Sequence, residues 1–153
     1  MSRLIATLNY LHGALHLFLG SKRETLKRVV TSGTIVSDVA STIRNTGHLP
    51  LFVAEGTTIE KMARINSVPY LRFCYDNLSV IEGSIFIFGH SLGPNDAHIY
   101  DAIFSSNAKK LFFCVHQPQN DWSGLRERLA PYKERNPKIE VHYVDAGSAR
   151  VWA

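Results

Sequence analysis

The clearest hydrophobic pattern lies in the second half of the chain, where short apolar runs alternate with amphipathic segments. Residues 84–88 and 110–116 have the composition of buried strands, and 138–144 alternates as an edge strand does. Helices are predicted between these strands, over 94–106 and from Asp121 to about Arg135. This order of elements predicts parallel strands joined by right-handed crossovers.

The first half of the chain is less regular. It predicts a buried strand over 4–11 that ends at His12-Gly13, and a short strand over 15–18. A hairpin within 25–36 and a strand over 49–53 are weaker predictions.

Helices are predicted over 37–44, over 58–66 and from Pro69 onwards. Thr57 and Glu60 have the spacing of a capping box, which marks the start of the second of these helices. Together the patterns predict an α/β fold with a small, mainly parallel sheet and helices on both faces, in a single domain over 1–153.

Composition narrows the class of protein. The 153 residues are 45% hydrophobic and 20% charged, as in a globular domain, and the net charge is +4. The basic residues are scattered, so nucleic acid is not an expected partner. Cys74 and Cys114 form no Cys-x-x-Cys motif, and we expect no metal site and a reducing, cytoplasmic environment. No run of apolar residues predicts a membrane span.

The most informative motif is Gly89-His90-Ser91-Leu92-Gly93, between a predicted strand and a predicted helix. One interpretation is a phosphate-binding turn. Gly89 would let a ligand approach the backbone, Ser91 would offer its hydroxyl, and the first helix amides would bind an anion. Asp96 lies in the first turn of that helix, where it contacts a ligand or only caps the helix.

The same motif also fits the Gly-x-Ser-x-Gly nucleophile elbow of serine hydrolases. Ser91 would then be the catalytic nucleophile, and His12-Gly13 would resemble an oxyanion motif. The acid and the histidine of a triad should follow in that order. No histidine follows Asp145, and Asp121 with His142 is poorly placed for the role. A third possibility is a structural or interaction protein in which the turn only packs a helix.

Three segments together resemble a known family. They are Asn9-Tyr10-Leu11-His12-Gly13-Ala14-Leu15-His16-Leu17-Phe18, then Phe52-Val53-Ala54-Glu55-Gly56 with Glu60-Lys61, and then Phe86 to Ile99. In this order they are similar to a bacterial sirtuin-like family of uncharacterised proteins. The resemblance implies a Rossmann-like fold that binds NAD or an ADP-ribose-type nucleotide. It makes His12 the catalytic base, with NAD glycohydrolase or deacylase activity if the chain is active.

The resemblance also implies the nucleotide contacts: Gly13, Gly89, His90, Ser91, Leu92 and Asp96. Sirtuin-like domains begin with a strand and a Gly-Ala-Gly phosphate loop, which does not occur in this sequence. The chain therefore resembles the C-terminal half of such a domain, and we expect it to lack catalytic competence alone. A sheet without its first strands leaves an open edge, so we expect a homo-oligomer or a partner chain that completes the sheet.

Overall fold

The computed structural model describes residues 8–29, 33–53, 55–116 and 123–149. Its internal contacts divide the chain into two compact units, 1–75 and 76–153. Each unit contains one three-stranded sheet. The predicted α/β class is confirmed in this mixed form, whereas the single domain over 1–153 stays a prediction.

The first unit has an antiparallel sheet in the order β2-β1-β3. Its elements are β1 (Gly13–Leu19), β2 (Thr25–Lys27), α1 (Ile35–Thr46), β3 (Pro50–Phe52), α2 (Thr58–Ser67) and α3 (Pro69–Ser79), the last of which ends in the second unit. Its core contains Leu17, Leu51, Val53, Ile65, Val68 and Leu71. The prediction of a mainly parallel arrangement is therefore wrong for this sheet. β1 and β2 form a hairpin, and the connection through α1 places β3 on the other side of β1, where it runs in the same direction as β2 and antiparallel to β1.

The predicted strand over 4–11 is only partly open to comparison. Residues 1–7 lie outside the described residues, and residues 8–12 form no strand. The first described strand instead begins at Gly13, after a turn in which the Gly13 amide donates to the Tyr10 carbonyl at 3.0 Å.

Helix starts in this unit follow their capping residues. The predicted capping box of α2 is confirmed: the Glu60 amide donates to the Thr57 hydroxyl at 3.3 Å, and the Thr57 amide donates to the Glu60 carboxylate at 2.8 Å. These hydrogen bonds lower the pKa of Glu60, since they favour its charged form. At the end of α1, Gly47 adopts a φ of 70° in the left-handed region.

The second unit is a parallel sheet in the order β4-β5-β6. Its elements are β4 (Glu82–Phe88), α4 (Ala97–Phe104), β5 (Asn107–Val115), α5 (Ser123–Arg135) and β6 (Glu140–Asp145). A 3₁₀ turn at Pro94–Asp96 leads into α4. The predicted alternation of parallel strands and helices is confirmed here.

Both crossover helices lie on one face of this parallel sheet. Tyr100 and Phe104 of α4 and Leu129 of α5 share a core with Leu111 and Phe113 of β5. The prediction of helices on both faces is wrong for α4 and α5, because two right-handed crossovers running in the same direction place both helices on the same side.

Among the described residues, no helix has both the length and the apolar character needed to cross a bilayer.

Gly13 and Gly47 provide a matched pair of substitutions. Both have a left-handed φ, 76° and 70°. A Cβ at Gly13 would collide with the backbone carbonyl of Leu51, whereas no described residue has an atom within 4 Å of a Cβ at Gly47. We expect Gly47→Ala to lower the free energy of unfolding by about 1–2 kcal/mol, the cost of a left-handed alanine. Gly13→Ala should cost roughly a further 1–3 kcal/mol, because β1 and β3 must also separate.

Urea denaturation of the two variants and the parent protein measures both values. Equal losses of stability in the two variants would contradict the close approach of Gly13 to β3.

Candidate functional site

The candidate site lies at the carboxyl edge of the parallel sheet. β4 ends at Phe88, residues 89–93 turn the chain, and the 3₁₀ turn leads it into α4. Parallel α/β sheets bind ligands beyond the carboxyl ends of their strands, where the loops that follow them meet. The motif singled out in the sequence therefore lies where such a sheet presents its ligand.

Two residues of this turn have left-handed backbone conformations. Gly89 has a φ of 65°, and Leu92 has a φ of 58°. A non-glycine residue in this region costs about 1–3 kcal/mol and is retained only where its surroundings impose it. The Leu92 side chain is 3% exposed and belongs to the core of the second unit, so burial is one of those constraints.

His90 supplies the second constraint on the turn. Its Nδ1 accepts a hydrogen bond from the Leu92 amide at 3.1 Å. The hydroxyl of Tyr100 in α4 lies 2.6 Å from the same nitrogen, and the two rings pack edge to face. The imidazole thus joins the turn to the helix that follows it.

The amide of Leu92 also determines the tautomer of His90. A backbone N–H only donates, so Nδ1 must accept, and the Tyr100 hydroxyl donates to it as well. Neutral His90 therefore carries its proton on Nε2, which lies 3.6 Å from the Asp96 carboxylate. Asp96, His90 and Tyr100 form a polar chain that runs from the surface into the core.

Tyr100 is the buried end of this chain, at 1% exposure. Burial raises the pKa of its hydroxyl far above the usual range, and the negative charge of Asp96 raises it further. Tyr100 therefore stays protonated and remains a hydrogen-bond donor to His90 throughout the physiological range.

Two backbone amides of the turn remain available as hydrogen-bond donors. Among the residues that the structure describes, no acceptor receives a hydrogen bond from the amides of Ser91 and Gly93. Ser91 is exposed, and a Cβ placed on Gly89 meets nothing within 4 Å. Two amides one residue apart, together with the hydroxyl of Ser91, can bind an anionic oxygen such as that of a phosphate.

The hydrolase alternative can be compared with the same geometry. The left-handed residues of the turn are Gly89 and Leu92, and Ser91 is not one of them. His142 stacks on Phe112 within the sheet, with the two ring centroids 4.8 Å apart. Asp145 accepts from the amide of Gly147, and Asp121 lies outside the described residues.

The residues predicted from the sequence fall in both units. Gly89, His90, Ser91, Leu92 and Asp96 come together in the second unit, whereas His12 and Gly13 lie in the turn before β1 in the first. The carbonyl of His12 accepts from the Val53 amide at 2.8 Å. The close approach of Gly13 to Leu51 explains that glycine by packing, and the roles of His12 in catalysis and of Gly13 in cofactor binding stay predictions.

The sequence analysis did not identify the role of Tyr100. The signal was the hydroxyl itself, because a tyrosine at a core position needs a hydrogen-bond partner where phenylalanine would not. It also treated His90 as a ligand contact, whereas its Nδ1 is engaged by the protein.

Comparison with known proteins shows the family of this chain. Residues 2–152 match the family described as Domain of unknown function (DUF4917), and the chain belongs to that family. Comparisons with curated proteins and with solved structures found no match.

Removing the imidazole should loosen the turn. We expect His90→Ala to lower the free energy of unfolding by about 1–3 kcal/mol, because the Leu92 amide and the buried Tyr100 hydroxyl lose their acceptor. His90→Asn should retain part of this stability, since an asparagine oxygen can accept from the amide two residues on.

A double-mutant cycle with Tyr100→Phe isolates the contact between the two side chains. In the His90→Ala background Tyr100→Phe should cost less than in the parent, with a coupling of about 0.5–3 kcal/mol in urea denaturation. Additive losses would show that the hydroxyl and the imidazole are energetically independent.

The raised pKa of Tyr100 predicts a loss of stability in alkali. Its contribution is fully present below the unfolded pKa of about 10 and is lost as the pH rises through the folded pKa, because only the unfolded chain ionises between them. The free energy of unfolding should therefore fall as the pH rises. In Tyr100→Phe this slope should be smaller than in the parent by up to about 1.4 kcal/mol per pH unit.

Tyr132 and Tyr143 also have pKa values raised by burial, but both remain in the variant and cancel in the comparison. Urea midpoints measured from neutral to strongly alkaline pH give the two slopes. Parallel slopes would contradict the buried, hydrogen-bonded state of Tyr100.

Proposed function

We propose that the unit 76–153 binds an NAD- or ADP-ribose-type nucleotide, with a phosphate group at the turn 89–93. The unit is then the nucleotide-binding part of a Rossmann-like, sirtuin-like domain. On this proposal the chain binds the nucleotide, and catalysis needs more than the isolated chain supplies.

The observation that carries the proposal is the position of the turn 89–93, which has backbone amides available as hydrogen-bond donors. The turn follows β4, the first strand of a parallel strand–helix–strand–helix–strand unit. In doubly wound proteins the dinucleotide phosphates bind after the first strand of such a unit, at the start of the next helix. The amides of Ser91 and Gly93 and the Ser91 hydroxyl are the groups that would bind a phosphate oxygen.

The protein residues of this turn are compatible with an anionic ligand. The carboxylate of Asp96 faces the Nε2–H of His90, which reduces its repulsion of a phosphate. Among the described residues, no atom lies within 4 Å of a Cβ placed on Gly89, which leaves room for a ligand on that side of the backbone. His90 and Tyr100 would hold the turn in shape before the ligand arrives, which lowers the entropy cost of binding.

The resemblance to sirtuin-like proteins supports the choice of NAD or ADP-ribose among nucleotides. By that resemblance His12 would act as a base toward the nicotinamide ribose. Ser91 as the nucleophile of a hydrolase has less support, because the nearest histidine in sequence, His90, has its Nδ1 engaged by Leu92 and Tyr100. In the third possibility, a structural or interaction protein, the turn would bind no ligand.

Gly89 and Gly83 allow a matched test of this site. Gly83 lies near the start of β4 and Gly89 directly follows its end. Both have a left-handed φ, 79° and 65° respectively, and no atom of the part of the chain that the structure describes lies within 4 Å of a Cβ on either. Alanine at the two positions should therefore cost similar stability. Only Gly89→Ala puts a methyl group and a strained backbone beside the proposed phosphate site.

Thermal denaturation with increasing ADP-ribose or NAD measures binding. We expect the ligand to stabilise the parent and Gly83→Ala, by about 2.7 kcal/mol at 100 times its dissociation constant, and Gly89→Ala to lose most of that effect. Absence of stabilisation in the parent would overturn the proposal. Equal stabilisation of both variants would place the nucleotide elsewhere on the chain.

A further inference from the structure

β4 lies at one edge of the parallel sheet. Within the described parts of the chain its only strand partner is β5. Its last four residues, Ile85-Phe86-Ile87-Phe88, include no charge and no proline. Proteins usually protect an open edge with lysine, proline or a cover, because its free amides and carbonyls pair with other strands.

The opposite edge of the sheet is different. β6 begins with Glu140 and ends with Asp145, and His142 lies between them with its Nε2 3.4 Å from the Glu140 carboxylate. Charged and polar groups of this kind discourage pairing of an edge strand. The two edges are therefore unequal, and β4 is the one suited to accept another strand.

A row of stacked rings crosses the sheet and ends at β4. The ring centroids of Phe86 and Phe112 are 4.6 Å apart with the rings 8° from parallel, and Phe112 and His142 continue the row at 4.8 Å. These spacings match the distance between neighbouring strands. Phe86 is the terminal ring and is 59% exposed, so the next position in the row belongs to a strand beyond β4.

We propose that this position is filled by β4 of a second copy of the chain, paired antiparallel about a two-fold axis at Phe86. The two sheets then form one six-stranded sheet, and the row of rings continues through the Phe86 side chains of both copies. The interface is isologous, as in most dimers, and needs no other partner.

The sequence of β4 is self-complementary in this register. Ile85 lies opposite Ile87 of the partner subunit, and both belong to the face that packs against the core of the second unit. Phe88 lies opposite Ser84 of the partner subunit. Glu82, the only charged residue of β4, lies opposite position 90, so no like charges face each other.

Sedimentation analysis of the whole chain and of two single variants tests the proposal. We expect a dimer for the parent. Phe86→Lys should raise its dissociation constant by about tenfold or more, because the aromatic contact is lost and two ammonium groups face each other. Phe73→Lys is the matched control, since Phe73 is also an exposed phenylalanine, at 57%, but lies on α3.

Mixing the variants tests the register. Phe86→Lys and Phe86→Glu chains should each remain monomeric and should form a heterodimer when combined, since opposite charges then meet at the two-fold axis. A monomeric parent at all concentrations, or a parent dimer that Phe86→Lys leaves unchanged, would overturn the proposal. Failure of the mixed chains to associate would overturn the register.

Amide hydrogen exchange of the unsubstituted chain provides a measurement that does not depend on the folding of a variant. Exchange within 85–88 should slow as the protein concentration rises, while exchange within β6 should not change. Slowing at β6 instead of β4 would assign the interface to the other edge and contradict the proposal.

Discussion

The shape of the candidate site depends on one shared acceptor, the Nδ1 of His90. It accepts hydrogen bonds from the Leu92 amide and from the Tyr100 hydroxyl. The first holds Leu92 in a left-handed conformation, and the second connects the turn to α4. Leu92 and Tyr100 are both buried in the core of the second unit. The conformation of the turn is therefore a consequence of how the core packs.

Parallel strand order is the other constraint on the second unit. Two crossovers in the same direction place α4 and α5 on one face, bring the carboxyl ends of β4, β5 and β6 to one edge, and leave β4 with one described partner. Parallel sheets are usually covered on both faces and seldom end in an unprotected apolar strand. The turn 89–93 at one end of β4 and the edge of β4 that has no strand partner among the described residues thus arise from the same topology.

The family of the chain and the similarity to sirtuin-like proteins that its motifs predict bear on different questions. Membership of the family described as a domain of unknown function covers residues 2–152, nearly the whole chain. The predicted similarity is the basis of the nucleotide that we propose and of the proposed role of His12. The turn 89–93 has its own physical account through His90 and Tyr100, which does not depend on the proposed nucleotide.

Much of the second unit could be predicted from the sequence alone, because its strands are short apolar runs separated by helices. In the first unit, the capping box at Thr57 and Glu60 marked the start of α2. These features are local. Tertiary structure alone decided the antiparallel sheet of the first unit, the single face shared by α4 and α5, and the contact between His90 and Tyr100. Each of these depends on which distant segments pack together, and apolar periodicity specifies that a side chain is buried without specifying its neighbours.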